Sequence, residues 1–246
     1  SRHKWIKLSK PTMRESPVHK DAWLLEVLTA RRALNTLPQL LPLAVAADAS
    51  VRGAAMAALG QLAGPEHIPG LLQGVLAAEP GRERETAEKA VLSVCSRIAD
   101  ANRRAEPVLA AMQELSDAQR LNVLPALGRV GGPAALQAIE AAIGQAQHDV
   151  HDAGIRALCN WPDASIAPRL LELATQDPHP DHQIKALRAL IRVAVVADER
   201  TDDERLGLLR AALEVCTRDS ERNLVLQRAQ AIRTPDTLRF LLPFLD

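Results

Sequence analysis

Apolar residues recur along this chain in helical steps, and the steps themselves repeat about every 31 to 35 residues. Ser50-Val51-Arg52 leads into Ala58-Leu59-Gly60, and Gln119-Arg120 into Ala126-Leu127-Gly128. Val150-His151 leads into Ala157-Leu158-Cys159, and His182-Gln183 into Ala189-Leu190-Ile191. In each copy the leucine lies seven residues after the Arg, His or Gln, two turns further along one helix face. The expected anchors are Leu59, Leu92, Leu127, Leu158 and Leu190, with a degenerate sixth copy near Ala229. Self-similarity at this period marks a stack of small units, none of which buries its apolar face alone.

The pattern predicts one helix from Trp23 to Leu34, a second from Leu37 to Ala46, and then helix pairs. The pairs are expected at 49–63 with 66–78, 83–99 with 105–115, and 117–130 with 133–147. Three more follow at 149–160 with 164–176, 181–197 with 203–217, and 220–232 with 235–245. Gly64-Pro65, Gly131-Gly132-Pro133, Trp161-Pro162 and Thr234-Pro235 fall between the two helices of a pair. Gly ends a helix and Pro starts one, which fits those places. Asp48 or Ser50, Ser116, Asp149, Asp181 and Asp219 or Ser220 stand where N-caps of first helices belong. No β-branched alternation runs for four residues, so strands are not expected. The charged stretch from Asp198 to Arg205 lengthens the period into the last repeat.

Residues 1–20 carry no helical period. Arg2, Lys4, Lys7, Lys10, Arg14 and Lys20 alternate there with Pro11 and Pro17, which reads as an extended basic connector whose Trp5 and Ile6 pack on the first helices. Residues 21–246 then form the array. The last residues, Leu245-Asp246, lie in an apolar helix without a polar cap, so further repeats are expected to follow in a longer parent protein.

Composition narrows the function. Aromatics are only 2% and Tyr is absent, so Leu, Ala, Val and Ile must build the core. Lys+Arg and Asp+Glu are equal at 30 each, unlike a polyanion binder, and no nucleic-acid partner is expected. No apolar run reaches the ~18 residues of a membrane span. Cys95, Cys159 and Cys216 are too far apart for a CxxC pair and read as buried free thiols.

The segment Ala49-Ser50-Val51-Arg52-Gly53-Ala54-Ala55-Met56-Ala57-Ala58-Leu59-Gly60-Gln61-Leu62 resembles the bacterial HEAT-like repeat of the phycobilisome-lyase type. That motif places Val-Arg at the start of a first helix and Ala-Leu-Gly near its end. The resemblance runs from about residue 36 to the end and implies a right-handed α-solenoid of about six or seven helix pairs. It also implies that Arg52 and Arg120 pair with an Asp of a neighbouring repeat. Ala87 to Cys95, Leu127 to Gly132 and Ala157 to Ala164 are similar to HEAT arrays in large secreted bacterial proteins carrying a 3-keto-disaccharide hydrolase, glucanase-lectin-like domain. No residue of that domain is present, so the likeness implies a periplasmic or secreted setting and no activity.

The expected function is a non-catalytic, monomeric scaffold without a cofactor. It would offer the concave face of its second helices to a protein partner or to another domain of the parent chain. Gln73, Gln113, Gln137, Glu140, Arg169, Glu172, Arg210 and Glu214 are the expected contacts. Two enzyme readings stand beside it. His148, Asp149, His151 and Asp152, then His179, Asp181 and His182, put metal-competent side chains one repeat apart. His151, His182, Asp152 and Asp181 could form a metal edge of the kind a HEAT-like deoxyhypusine hydroxylase builds from His-Glu steps, although no His-Glu pair occurs here. The simpler expectation makes Asp149 and Asp181 N-caps and the histidines solvated turn residues. A HEAT-like alkylpurine DNA glycosylase would need a basic groove with aromatics, and the expected contacts contain none.

Overall fold

The computed structural model describes residues 34–244, so the basic connector at 1–20, the first predicted helix and Leu245-Asp246 lie outside the described residues. Thirteen α-helices and no strand occur among the described residues. Helix α1 (Leu37–Leu43) precedes six pairs. They are α2 (Ala49–Leu62) with α3 (Ile68–Ala77), α4 (Arg82–Cys95) with α5 (Glu106–Met112), and α6 (Asp117–Val130) with α7 (Pro133–Ile143). Then come α8 (His148–Cys159) with α9 (Ala167–Gln176), α10 (Pro180–Ala194) with α11 (Asp202–Glu214), and α12 (Asp219–Ala229) with α13 (Pro235–Leu241). Each first helix packs on the first helix of the next pair, from α2 through α12. The chain is an α-solenoid, and one apolar cluster runs through it from Leu37 to Ile232.

One position explains how each unit is locked to the previous one. The last carbonyls of a helix have no partner within it. Here a side chain from the next first helix donates to a carbonyl at the end of the preceding helix or just beyond it. Arg52 Nη1 donates to Ala46 O and Ala47 O at 2.9 Å, and Arg84 Nη2 to Ala78 O at 2.7 Å. Arg120 Nε donates to Met112 O at 2.9 Å, and His151 Nδ1 meets Ile143 O at 2.6 Å. Gln183 Nε2 donates to Asp177 O at 2.7 Å, and Arg222 Nη2 to Cys216 O at 3.3 Å. Seven residues beyond each latch stand Leu59, Val91, Leu127, Leu158, Leu190 and Ala229, all wholly buried. The expected anchor Leu92 is only half-buried; the second repeat latches with Arg84, which moves its anchor to Val91.

The partners of the motif arginines are also different from those expected. Arg52 does reach the next repeat, but to a glutamate: Nε lies 2.7 Å and Nη2 3.1 Å from the two oxygens of Glu83. Arg120 pairs with Asp117 of its own helix, so it locks backwards only. Asp48 and Ser116 cap α2 and α6 as predicted. Asp149, Asp181 and Asp219 instead lie within the first turns of α8, α10 and α12, whose N-cap residues Gln147, His179 and Arg218 make no side-chain cap bond. An acid in the first turn still favours the helix through its dipole, so the sequence signal was real but its position was off by one or two residues.

First helices approach closely where small residues face each other. A Cβ on Gly60 would lie 3.0 Å from Ala90 Cα, and one on Gly128 only 2.7 Å from Ala157 C. Trp161 is buried beside Gly131 and donates its Nε1 to Ser165 Oγ at 3.0 Å. Cys95 and Cys216 are buried and Cys159 half-buried, all free. Burial pushes the Cys95 thiol up to about 11 and the Cys159 thiol up to about 12. Thiolate is the reactive form, so an aromatic disulfide reagent at pH 8 is expected to label none of these three in minutes. All three should react once the chain is unfolded in urea; fast labelling of Cys159 in native protein would contradict the burial.

Candidate functional site

The histidine-bearing turns come together around a carboxylate that sequence reasoning did not single out. Asp177 follows α9 in the loop to α10, and its side chain is only 1% exposed. Its Oδ2 lies 3.0 Å from His151 Nε2 of α8. Its Oδ1 lies 3.2 Å from His182 Nδ1 of α10 and 3.3 Å from His179 Nδ1. The His179 amide donates to the same oxygen at 2.9 Å, closing the turn that starts α10. Burial works to raise the Asp177 carboxyl, but the His179 amide and the His151 ring outweigh it and hold the group below the usual carboxylate value.

The outer ends of the two buried rings are fixed as well. His151 Nδ1 meets the carbonyl of Ile143, and His182 Nε2 lies 3.1 Å from Asp152 Oδ1. Asp152 is held in turn by Lys185 at 2.8 Å and Arg156 at 2.9 Å. His182 is 3% exposed and His151 15%, so neither is the solvated turn residue expected. The reason is the latch: it draws His151 inward against the end of α7. Asp181 is exposed and takes no part, whereas Asp152 touches the cluster from outside. His151, Asp177, His179 and His182 each offer one ligand atom, and these four atoms all lie within 4.8 Å of one another. Asp177 escaped notice because nothing in Gln176-Asp177-Pro178 distinguishes it from an ordinary loop acid.

A second feature spans four repeats. A recess of about 390 Å³ is lined by Glu85 and Glu88 of α4, Arg129 of α6, Arg156 of α8 and Lys185 of α10, with Cys159 among its apolar walls. Glu88 is buried and accepts from Arg129 Nε at 2.6 Å. These residues belong to first helices. The second-helix residues stand elsewhere: Gln73, Gln113, Gln137, Glu172, Arg210 and Glu214 are exposed, and Glu140 and Arg169 half-buried. Arg169 binds Glu140 with its Nε and Nη2 at 3.0 Å and Glu172 at 2.9 Å, tying α9 to α7. Arg210 lies over the Phe240 ring at 6.0 Å. No helix among the described residues is long and apolar enough to cross a membrane.

No family model matches the chain, and no curated protein is significantly similar to it. Among solved structures it is similar to the archaeal HEAT-like repeats protein from Thermococcus onnurineus, at 15% identity over 89% of this chain and 98% of that one, with a TM-score of 0.35. It is also similar to the complex of CpcE and CpcF of phycocyanin lyase from Nostoc sp., at 17% identity over 94% of this chain and 99% of that one, with a TM-score of 0.39. The solenoid itself is defined by the order and stacking of the helices.

Proposed function

We propose that this chain is a non-catalytic repeat scaffold that holds an acidic, extended segment of a protein partner, or of another domain of a longer parent chain, along its first helices. The supporting observation is the recess across α4, α6, α8 and α10, a surface that only a stack of repeats can assemble. Its cations Arg84, Arg129, Arg156 and Lys185 outnumber its carboxylates Glu85 and Glu88. Contacts within the array hold these cations in place: Arg129 to Glu88, Arg156 and Lys185 to Asp152, and Arg84 to Ala78 O. Side chains already fixed lose little rotamer freedom when a partner docks, where a free long side chain costs about 0.5–1.5 kcal/mol. Among the described residues no aromatic ring lines the recess, so it offers unpaired bases nothing to stack on.

Photo-crosslinking in the producing cell tests the placement. A benzophenone side chain replacing Glu85 or Arg156 is expected to capture one protein, in a band absent without illumination. Adducts confined to the same group at Gln113 or Gln137 would move the partner to the second helices. No adduct from any of the four positions would overturn the scaffold reading itself.

A further inference from the structure

We propose that His151, Asp177, His179 and His182 form a structural zinc site clasping the fourth repeat to the fifth. Hydrogen-bond polarity carries the inference. A carbonyl only accepts, so the Ile143 oxygen at 2.6 Å requires the His151 proton on Nδ1. A carboxylate likewise only accepts, so Asp152 at 3.1 Å requires the His182 proton on Nε2. In its neutral form each ring then aims a lone pair at Asp177, itself a buried acceptor, at 3.0 and 3.2 Å. Acceptors facing acceptors in a buried site need positive charge between them, supplied by a second proton on each ring or by one ion that all four ligand atoms, within 4.8 Å of one another, can share.

The outer contacts have the form found around metal-bound imidazoles, where the distal N–H is held by a carbonyl or carboxylate that fixes tautomer and ring orientation. Three nitrogens and one oxygen suit zinc, and ligands about 2.0–2.1 Å from a tetrahedral ion stand about 3.4 Å apart. Three of the nitrogen-to-oxygen separations, at 3.0, 3.2 and 3.3 Å, are close to that. His179 is the partly exposed member and closes the shell from the solvent side. Four protein ligands leave no open coordination position, which marks a structural rather than a catalytic site. The set differs from the edge drawn from sequence, with Asp177 and His179 in place of Asp152 and Asp181.

The first repeat contains an internal control. Arg52 bridges the loop after α1 to Glu83 of the next repeat as His151 bridges Ile143 to Asp177, but its guanidinium brings its own charge. His151→Arg therefore removes a ligand while preserving the latch and supplying a cation to Asp177.

Chelator-treated, tag-free protein titrated with zinc in a calorimeter is expected to bind one equivalent and to melt at a higher temperature once loaded. Cobalt substituted for zinc should give the intense visible bands of tetrahedral coordination. His151→Arg should fold, melt near the apo temperature and lose at least about 100-fold in zinc affinity; Asp152→Asn should lose about 10- to 100-fold. Failure to bind one equivalent, or zinc affinity unchanged in a folded His151→Arg protein, overturns the site. Neither result bears on the partner recess, whose test is the crosslink.

Discussion

Gly128→Ala is expected to destabilise the protein by about 3 kcal/mol, at the upper end of the ordinary cost of overpacking. The added methyl would fall on the peptide of Ala157, 2.7 Å from its carbonyl carbon and 3.0 Å from its Cα. Those atoms are backbone of α8, so no rotamer change can relieve the clash and α6 must move away from its neighbour. The helix propensity gained by losing a glycine is about 1 kcal/mol and cannot offset this. Gly53 and Gly207 provide the contrast, because a methyl at either meets nothing within 4 Å. Both lie within helices, and alanine there is expected to stabilise by about 0.5–1 kcal/mol. Urea titrations of the three variants separate the cases by sign. A Gly128→Ala midpoint at or above that of the parent would mean that the first helices are not in the contact described.

Arg52→Ala is expected to cost about 3 kcal/mol, the loss typical when one member of a buried ion pair is removed. Its side chain is 10% exposed and that of Glu83 is 17% exposed, so neither charge is well screened by water. The same guanidinium satisfies the carbonyls of Ala46 and Ala47, which lose a donor as well. The Arg52 hydrogen bond holds the Glu83 carboxyl below its usual value, against burial. Stability from that lowered value is present above the unfolded glutamate's titration and is lost as pH falls through the folded one. The variant should invert this behaviour, with a half-buried carboxylate that has lost its cation and that acid relieves. Thermal melts at pH 7 and pH 4 test it: the gap between parent and variant should narrow at the lower pH. Arg52→Ala/Glu83→Gln should recover part of the loss, and no recovery would detach the cost from the ion pair.

The repeat was readable in the chain because each unit must bury the same face. The spacing from latch to anchor is the physical requirement for two contacts on one helix side, so Arg52 to Leu59 and Arg120 to Leu127 were found directly. The second repeat misled by one place: Val91 and Leu92 are both apolar, and only the contact of Arg84 with the preceding helix end decides between them. The candidate site was less accessible. His151 and His182 announced themselves by type and spacing, yet Asp177 becomes visible only when α8, the loop and α10 are brought together. Which helix layer carries the recess depends on how side chains of four repeats meet, and no single segment encodes that.

The latch column also distributes strength along the array. At Arg52 the cation belongs to the chain, so the seam between the first and second repeats holds in any ordinary buffer. At His151 the balancing charge must come from outside, as a proton or an ion, so the seam between α8 and α10 is conditional. In a stack governed by nearest neighbours, a conditional seam decides which end separates from which. Amide exchange should therefore divide the chain there, with α2 to α8 opening as one cooperative block and α10 to α12 as another. A rod of near-identical units would in that way acquire a preferred place to yield.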